Sequence, residues 1–159
     1  MATIKHSPEE MADIVAARIE AIREASGFET DIGRKVYRGR RSVSKDQAPC
    51  ATLIENSNEP GESPGRSVQY NVTQGYTILA YLLLPNSEDQ DNPNAVMHRA
   101  LRDLKRAIWK PDGVNEDPNL GGQCRFLHYT GTDMAPRDDG SVLAVCALEI
   151  AVEYVEVLA

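Results

Sequence analysis

The chain has 159 residues, of which 42% are apolar and 26% charged, a composition typical of one soluble globular domain with a single core. Seventeen basic residues against twenty-four acidic ones give a net charge of −7, which argues against attraction of the whole surface to nucleic acid or to an anionic membrane. Any contact with DNA must therefore use a local patch. The first residues lack the apolar stretch of a signal peptide and no run reaches transmembrane length, so we expect a cytoplasmic protein without membrane contact.

The N-terminal segment predicts an amphipathic helix over about Pro8 to Ser26. Ser7 can cap its first turn, and Glu10 stands three residues on to complete a capping box. Gly27 supplies the stop, because glycine readily adopts the left-handed conformation that ends helices. We expect the core face to carry four apolar residues, namely Met11, Val15, Ile19 and Ile22.

Two short strands are predicted next, over Ile32 to Gly39 and over Ala51 to Glu55. The segment at about 56–66 is rich in Ser, Asn, Glu, Pro and Gly. Such a composition cannot bury enough apolar surface to hold a fixed structure, so we expect a mobile loop.

A long strand is predicted over Ser67 to Leu84, in which Gly75 is a candidate for a bend or bulge. After a second polar loop at about 85–94, the pattern predicts a helix over about Pro93 to Trp109. Its predicted apolar face carries Met97, Ala100, Leu101, Leu104 and Ile108. Pro111 is expected to end this helix.

A third loop is expected at about 110–124, where proline and glycine are frequent. A short strand over Arg125 to Thr130 follows, and the residues from Asp138 to Gly140 are a turn signal into the end of the chain.

The last nineteen residues predict one long strand with a single buried face, because an alternate set of them is apolar: Val142, Ala144, Cys146, Leu148, Ile150, Val152 and Tyr154. Unbent, such a strand could extend roughly 50 Å, far beyond the usual strand of about 5 to 6 residues. We therefore expect it to bend or to reach past its own domain and contact another subunit. The candidate residues for this intersubunit strand are Glu149, Ile150, Val152, Glu153 and Tyr154.

These elements predict an α+β fold in one domain, 1–159, with a largely antiparallel (mixed) β-sheet and two α-helices packed on one face. The sequence carries none of the common catalytic or phosphate-binding motifs. Three scattered histidines and three widely spaced cysteines favour neither a metal site nor a disulfide framework. We expect no catalytic residue, no metal and no cofactor.

One charged segment runs against the acidic balance, with six cations within twelve residues: Arg34, Lys35, Arg38, Arg40, Arg41 and Lys45. This basic cluster could contact phosphates, with Tyr37 among its cations. It could equally pair with Glu149, Glu153 or the acidic loops of a neighbouring copy, or simply protect a solvated edge strand by its positive charge. The sequence leaves these three interpretations open.

Five segments together carry a family resemblance: Met11 to Ile19, Val36 to Gly39, Tyr76 to Tyr81, Ala95 to Leu104, and Ile150 to Tyr154. In the order of these elements, in size and in a terminal strand that closes on an aromatic residue, nearly the whole chain resembles the small tail-terminator or tail-completion proteins of long-tailed bacteriophages. No catalytic residue is implied by this resemblance.

The resemblance implies an α+β subunit that closes into a ring, commonly a hexamer, on the head-proximal end of the tail tube. Such a ring stops tube growth and presents a surface to the head. The implied partners are further copies of the chain, the tail tube protein, a head-completion or connector protein, and passing DNA, which the basic cluster could meet in the channel. The implied location is the virion tail, after assembly in the host bacterial cytoplasm. The alternative function is a small nucleic-acid-binding accessory factor that uses residues 34–45.

Overall fold

A computed structural model describes residues 4–61, 69–110, 117–136 and 141–157. These residues form the predicted α+β fold, a six-stranded mixed sheet with helices packed on one face. The strands are β1 (Lys5–His6), β2 (Val36–Arg38), β3 (Cys50–Pro60), β4 (Gln69–Leu83), β5 (Phe126–Met134) and β6 (Leu143–Val157). The helices are α1 (Pro8–Glu20), α2 (Ser87–Asp91) and α3 (Pro93–Trp109), with 3₁₀ turns at Glu24–Ser26, Ile32–Arg34 and Lys45–Gln47.

The strands lie in the order β1, β6, β4, β3, β2, and β5 pairs with β6 on the same side as β1. The three long pairings, β3 with β4, β4 with β6 and β5 with β6, are antiparallel. The two short strands β1 and β2 pair in parallel with β6 and β3. The prediction of a largely antiparallel, mixed sheet is therefore confirmed.

The two longest strands, β4 and β6, pair with each other along their whole length of 15 residues, from Gln69 opposite Val157 to Leu83 opposite Leu143. Residues 143–157 of the C-terminal strand therefore stay within their own sheet, and the expectation that the strand outgrows its sheet is wrong. The length of β6 is matched by β4, which pairs with one edge of β6 over all 15 residues. β5 and β1 pair with most of the other edge of β6.

The core lies between the sheet and the helices α1 and α3. From the sheet it takes six of the seven residues of the predicted alternate set, buried on β6: Ala144, Cys146, Leu148, Ile150, Val152 and Tyr154. The prediction is wrong for Val142, which precedes β6 and is 37% exposed. From α1 it takes the predicted Met11, Val15 and Ile19, and Ile22 is buried just beyond the helix end. From α3 it takes the predicted Met97, Ala100, Leu101, Leu104 and Ile108.

The first helix begins as predicted and ends earlier than predicted. The Glu10 N–H donates to the Ser7 hydroxyl at 3.2 Å, which confirms the cap. The helix stops at Glu20 because tertiary contacts take over its next backbone groups: the Gly33 N–H donates to the Ile22 carbonyl at 3.0 Å, and the Glu24 N–H donates to the Asp31 carboxylate at 2.9 Å. Gly27, with φ of 93°, ends the following 3₁₀ turn instead.

Two of the predicted loops contain regular structure. Residues 56–60 belong to β3, where backbone pairing with β4 holds a polar sequence in a strand after a bulge between Glu55 and Asn58. In the predicted loop at 85–94, the Asn86 side chain accepts a hydrogen bond from the Asp89 N–H at 2.8 Å and caps α2. The rest of the first loop from residue 62, residues 111–116 and the predicted turn at 138–140 lie outside the described residues.

Three strand predictions need correction. Ile32–Arg34 forms a 3₁₀ turn, so β2 is only three residues long. β5 continues to Met134 through a bulge between Tyr129 and Gly131. Gly75 does mark a bulge, but the extra residues are on β3: Gly75 pairs regularly with Ala151 of β6 and lies opposite the register shift between Glu55 and Asn58.

Candidate functional site

The basic cluster lies around β2, at one edge of the sheet, and every cation in it is exposed. Arg38 donates to the Asp13 carboxylate of α1 at 3.0 Å. Lys35 and Arg40 lie over the Tyr37 ring, at 5.4 and 4.4 Å from its centroid. Within the described part of the chain, Arg38 alone of the six has a carboxylate within 4.0 Å, so the other five cations, Arg34, Arg41 and Lys45 among them, carry the uncompensated charge of the edge.

The segment after β2 is folded back over the face of the sheet that the helices leave open. The Tyr81 hydroxyl, on that face of β4, donates to the Arg41 carbonyl. The Gln47 side-chain amide donates to the Tyr37 hydroxyl at 3.2 Å, and the Ser44 side chain caps the 3₁₀ turn in which Lys45 lies. The cations of this edge are therefore presented on a fixed support.

The proposed intersubunit strand residues divide between the two faces of β6. Ile150, Val152 and Tyr154 lie in the chain's own core, each with 1% or less of its surface exposed. Glu149 and Glu153 point to the open face, where Glu153 is 3.5 Å from the His128 ring. The intersubunit role stays a prediction, and only the two carboxylates are accessible to another copy.

The basic cluster and these carboxylates do not meet within one chain. β3 and β4 separate β2 from β6, a distance of roughly 14 Å at the usual spacing of strands. On β5, Gly131 lies opposite Glu149, so no side chain covers that carboxylate from the edge. One sheet thus carries positive charge along one edge and negative charge beside the other.

The open face between those edges is apolar in its middle. Register and alternation place Leu79 and Leu83 of β4 beside Ala147 and Leu143 of β6 on this face, with Val145 between the last two. Leu83, the last residue of β4, has 38% of its surface exposed. An apolar sheet face without helices is a candidate contact surface.

A second set of cations, which the sequence reasoning missed, lies on α3. Arg99, Arg102 and Arg106 are exposed and Lys105 is half-buried, and the exposed His98 lies on the same helix. Arg99 is 3.8 Å from Asp89, and Arg102 is 2.7 Å from Glu29. The one acid of this helix, Asp103, is buried and accepts hydrogen bonds from the Glu29 and Thr30 N–H groups and the Thr30 hydroxyl. The sequence spacing of these residues could have revealed the set, since side chains three and four residues apart lie on one side of a helix.

Between α3 and β5 these cations border a groove of about 320 Å³. The groove is lined by His98, Leu101, Arg102, Lys105, Thr132 and Met134. Beside it, the Lys105 ammonium lies 5.0 Å from the centroid of the Tyr129 ring, and Trp109 lies 6.0 Å from the same ring. A side-chain hydrogen bond with Thr132, together with Lys105, lowers the pKa of the Tyr129 phenol.

The three thiols are buried. Burial raises the pKa of Cys124 and of Cys146 to about 12, and it also raises the pKa of Cys50. Thiols with such pKa values remain protonated near neutral pH and are poor nucleophiles. In residues 4–61, 69–110, 117–136 and 141–157, no group of three or more His, Cys, Asp and Glu side chains is placed to hold a metal ion.

His6, in the short N-terminal strand β1, is buried. Its ring is 2.9 Å from the Gln123 side-chain oxygen and 3.3 Å from the Glu10 carboxylate. These contacts join β1 to the turn before β5, so His6 has a structural position.

Protein-family models and curated proteins offer no match to this chain. Among the helices in the described ranges, none combines the length and the apolar character needed to cross a membrane.

Proposed function

We propose that the chain is a structural subunit of a bacteriophage tail, a tail terminator that closes into a ring, commonly of six copies in that family. The ring ends tube growth at the head-proximal end of the tail and joins the tail to the head. The observation that carries this proposal is the separation of charge across one sheet. The basic cluster lies at the β2 edge and the carboxylates of Glu149 and Glu153 lie near the opposite edge, so the two groups cannot pair within a single chain.

A contact between copies follows from this arrangement. If the cations Arg34, Arg41 and Lys45 of one copy meet Glu149 and Glu153 of the next, each copy uses two different surfaces. Such a head-to-tail contact repeats with a constant rotation and produces a closed ring or an open helix. The charges also set the register of the contact.

The apolar open face supports the same proposal. Leu79, Leu83, Leu143 and Val145 gain free energy when another surface covers them, at about 25 cal/mol for each Å² of apolar area removed from water. In the proposed assembly this cover comes from the neighbouring copy or from the tail tube protein. The head-completion or connector protein binds the other end of the ring, and DNA passes through it on the way to the host.

A charge swap tests the head-to-tail contact. We expect the variant with Arg41→Glu and Lys45→Glu to fail to form rings, because the new carboxylates repel Glu149 and Glu153 of the next copy. We expect the variant with Glu149→Lys and Glu153→Lys to fail because the new lysines repel Arg41 and Lys45. Mixing the two variants should restore a ring of alternating copies with an even number of subunits. Light scattering and native mass spectrometry over a wide range of concentration and salt measure the result.

The proposal fails if the native chain stays monomeric at every concentration and also when added to tail tubes. A ring that forms equally well in the native chain and in each of the two variants alone would overturn the charge contact specifically. Circular dichroism of each variant separates loss of assembly from loss of folding.

A small nucleic-acid-binding accessory factor is the second candidate, because Arg34, Arg41 and Lys45 are exposed without a described carboxylate partner. Its affinity for duplex DNA should fall steeply with salt and on replacement of these cations, while its mass remains that of a monomer.

A further inference from the structure

The α3 groove combines two cations and a histidine with an exposed aromatic ring. His98, Arg102 and Lys105 stand on one side of α3, at spacings of four and three residues. Their side chains converge on the same groove from one wall, and Thr132 of β5 adds a hydroxyl from the other. The floor is apolar, made by Leu101 and Met134.

The charge of this groove is only partly compensated. Arg102 forms an ion pair with Glu29, in which Nη1 lies 2.7 Å from the carboxylate oxygen Oε2. Lys105 and His98 have no carboxylate within 4.0 Å among the residues that the structure describes, and Lys105 instead faces the Tyr129 ring. The groove therefore has a net positive potential on a protein whose total charge is −7.

The cations continue beyond a single anion site. From His98 to Lys105, the first and last α3 residues that line the groove, the helix rises by about 10 Å, a length that spans more than one phosphate of a nucleic acid strand. A free phosphate group would use only one position of this row. A linear polyanion uses all of it.

The aromatic side chain distinguishes nucleic acid from an acidic peptide. Tyr129 has 51% of its surface exposed although it lies beside the groove and is braced by Trp109 and Lys105. Bases that are free of a duplex stack on such rings, and this stacking tolerates any base sequence. Carboxylates of an acidic peptide would leave the ring unused.

We propose that the groove between α3 and β5 binds a single strand of nucleic acid, with phosphates on Arg102 and Lys105 and a base on Tyr129. This site goes beyond the proposed tail function and does not depend on ring formation. It is also separate from the basic cluster at β2, which lies at the opposite edge of the sheet.

Fluorescence anisotropy of a labelled single-stranded oligonucleotide of about 20 nucleotides tests the proposal, measured between about 50 and 200 mM salt. We expect Arg102→Gln with Lys105→Gln to weaken binding about tenfold and to reduce the slope of log K against log salt by about 1.4, since each phosphate contact contributes about 0.7 for single strands. The matched control is Arg34→Gln with Lys45→Gln, which removes the same charge elsewhere and should bind like the native chain.

The base contact is tested separately. Tyr129→Ala should weaken binding about tenfold, while Tyr129→Phe keeps the ring and should bind as the native chain does. Duplex DNA of the same length should bind more weakly than the single strand.

Four results would overturn the proposal: no measurable binding by the native chain, an equal loss in the control pair, equal affinity for duplex, or displacement of the oligonucleotide by poly-glutamate at the same charge concentration. The last result would assign the groove to an acidic protein segment. Circular dichroism and a native-like melting temperature for each variant ensure that the comparison concerns binding, and the native mass of the chain, ring or monomer, is recorded in the same solutions.

Discussion

Tyr76 presents a phenol hydroxyl on the helix-covered face of the sheet, where the side chain is 1% exposed. That hydroxyl has no hydrogen-bond partner among the described residues. A buried polar group without a partner costs about 1–3 kcal/mol of stability. We expect Tyr76→Phe to raise the free energy of unfolding by about 1 kcal/mol, which raises the melting temperature by about 2–4 °C in a chain of this size.

Tyr129→Phe is the control for this measurement, because it removes a hydroxyl from an exposed tyrosine and should leave the melting temperature nearly unchanged. A lower melting temperature for Tyr76→Phe would show that the Tyr76 hydroxyl is bonded in solution.

The Asp117 carboxylate stabilises the turn that precedes β5, where it accepts hydrogen bonds from the N–H groups of Asn119 and Gly121. Desolvation by burial acts to raise the pKa of its carboxyl, but hydrogen bonds from the Gly121 N–H, Arg18 and the Asn119 N–H outweigh it and lower that pKa. The Arg18 guanidinium donates to it at 2.8 Å, and both side chains are mostly buried.

A lowered carboxyl pKa stabilises the fold at pH values above the ordinary aspartate pKa of about 3.9, and this contribution is lost as the pH falls through the folded-state pKa. We expect Asp117→Asn to lower the free energy of unfolding by about 2 kcal/mol near neutral pH and to have a shrinking effect below about pH 4. Urea denaturation of both chains at several pH values measures this difference. A difference that is constant down to pH 2 would contradict the assignment, whereas the exposed Asp13 of the Arg38 pair, changed to Asn, should have little effect at any pH.

At the scale of elements, the 3₁₀ turn at Ile32–Arg34 packs against the end of α1 through Gly33. A Cβ atom at this glycine would lie 2.4 Å from the Ile19 carbonyl oxygen and 2.6 Å from that of Ile22. Both obstacles are backbone, so the two elements would have to separate. We expect Gly33→Ala to lower the free energy of unfolding by about 3 kcal/mol, measured by denaturant titration.

Gly75→Ala is the matched comparison, since a Cβ there first meets the Asn56 side chain at 3.4 Å and needs little adjustment. Equal stability of the two alanine variants would mean that the contact between the turn and α1 is looser than the structure has it.

The contact between the 3₁₀ turn and α1 also illustrates which element boundaries could be predicted from the sequence and which could not. The bounds of α3 agree with the prediction from Pro93 to Trp109, because its apolar residues recur at helical spacing and Pro93 stands at its start. The end of α1 was missed, because Asp31 and Gly33 terminate it from a distance in sequence. The polar end of β3 was missed for a related reason: β4 imposes the strand through backbone hydrogen bonds, which leave no pattern in the side chains.

For the candidate surfaces, counting charges along the chain found the basic cluster at β2 but gave it no geometry. The cations of α3 were overlooked because they are interrupted by core residues in the sequence and come together only on the helix surface. The open apolar face was hidden as well. Apolar residues such as Leu79 and Val145 are common in strands, so the sequence does not show that they lie on an uncovered face. That becomes clear only once the core helices are found on one face of the sheet.

At the scale of the whole molecule, the two outer strands are built in ways that limit uncontrolled pairing. β2 is three residues long and carries Arg38, while β5 is interrupted by the bulge at Gly131. Short, charged or bulged edges discourage unspecific strand addition. Association of this chain is therefore expected to depend on side chains at defined positions, which is what the charge swap measures.

The pairing of β4 with β6 also affects the newly made chain. Sixty residues separate Leu83 from Leu143, so β6 leaves the ribosome well after β4. At about 5–20 residues per second, translation leaves β4 without that neighbour for roughly 3 to 12 s. During this interval one side of a 15-residue strand is open, and it matches the β6 of any other copy as well as its own. The fold therefore gives neighbouring nascent chains on one messenger a route to exchange their last strands, and we expect slower translation to increase this exchange.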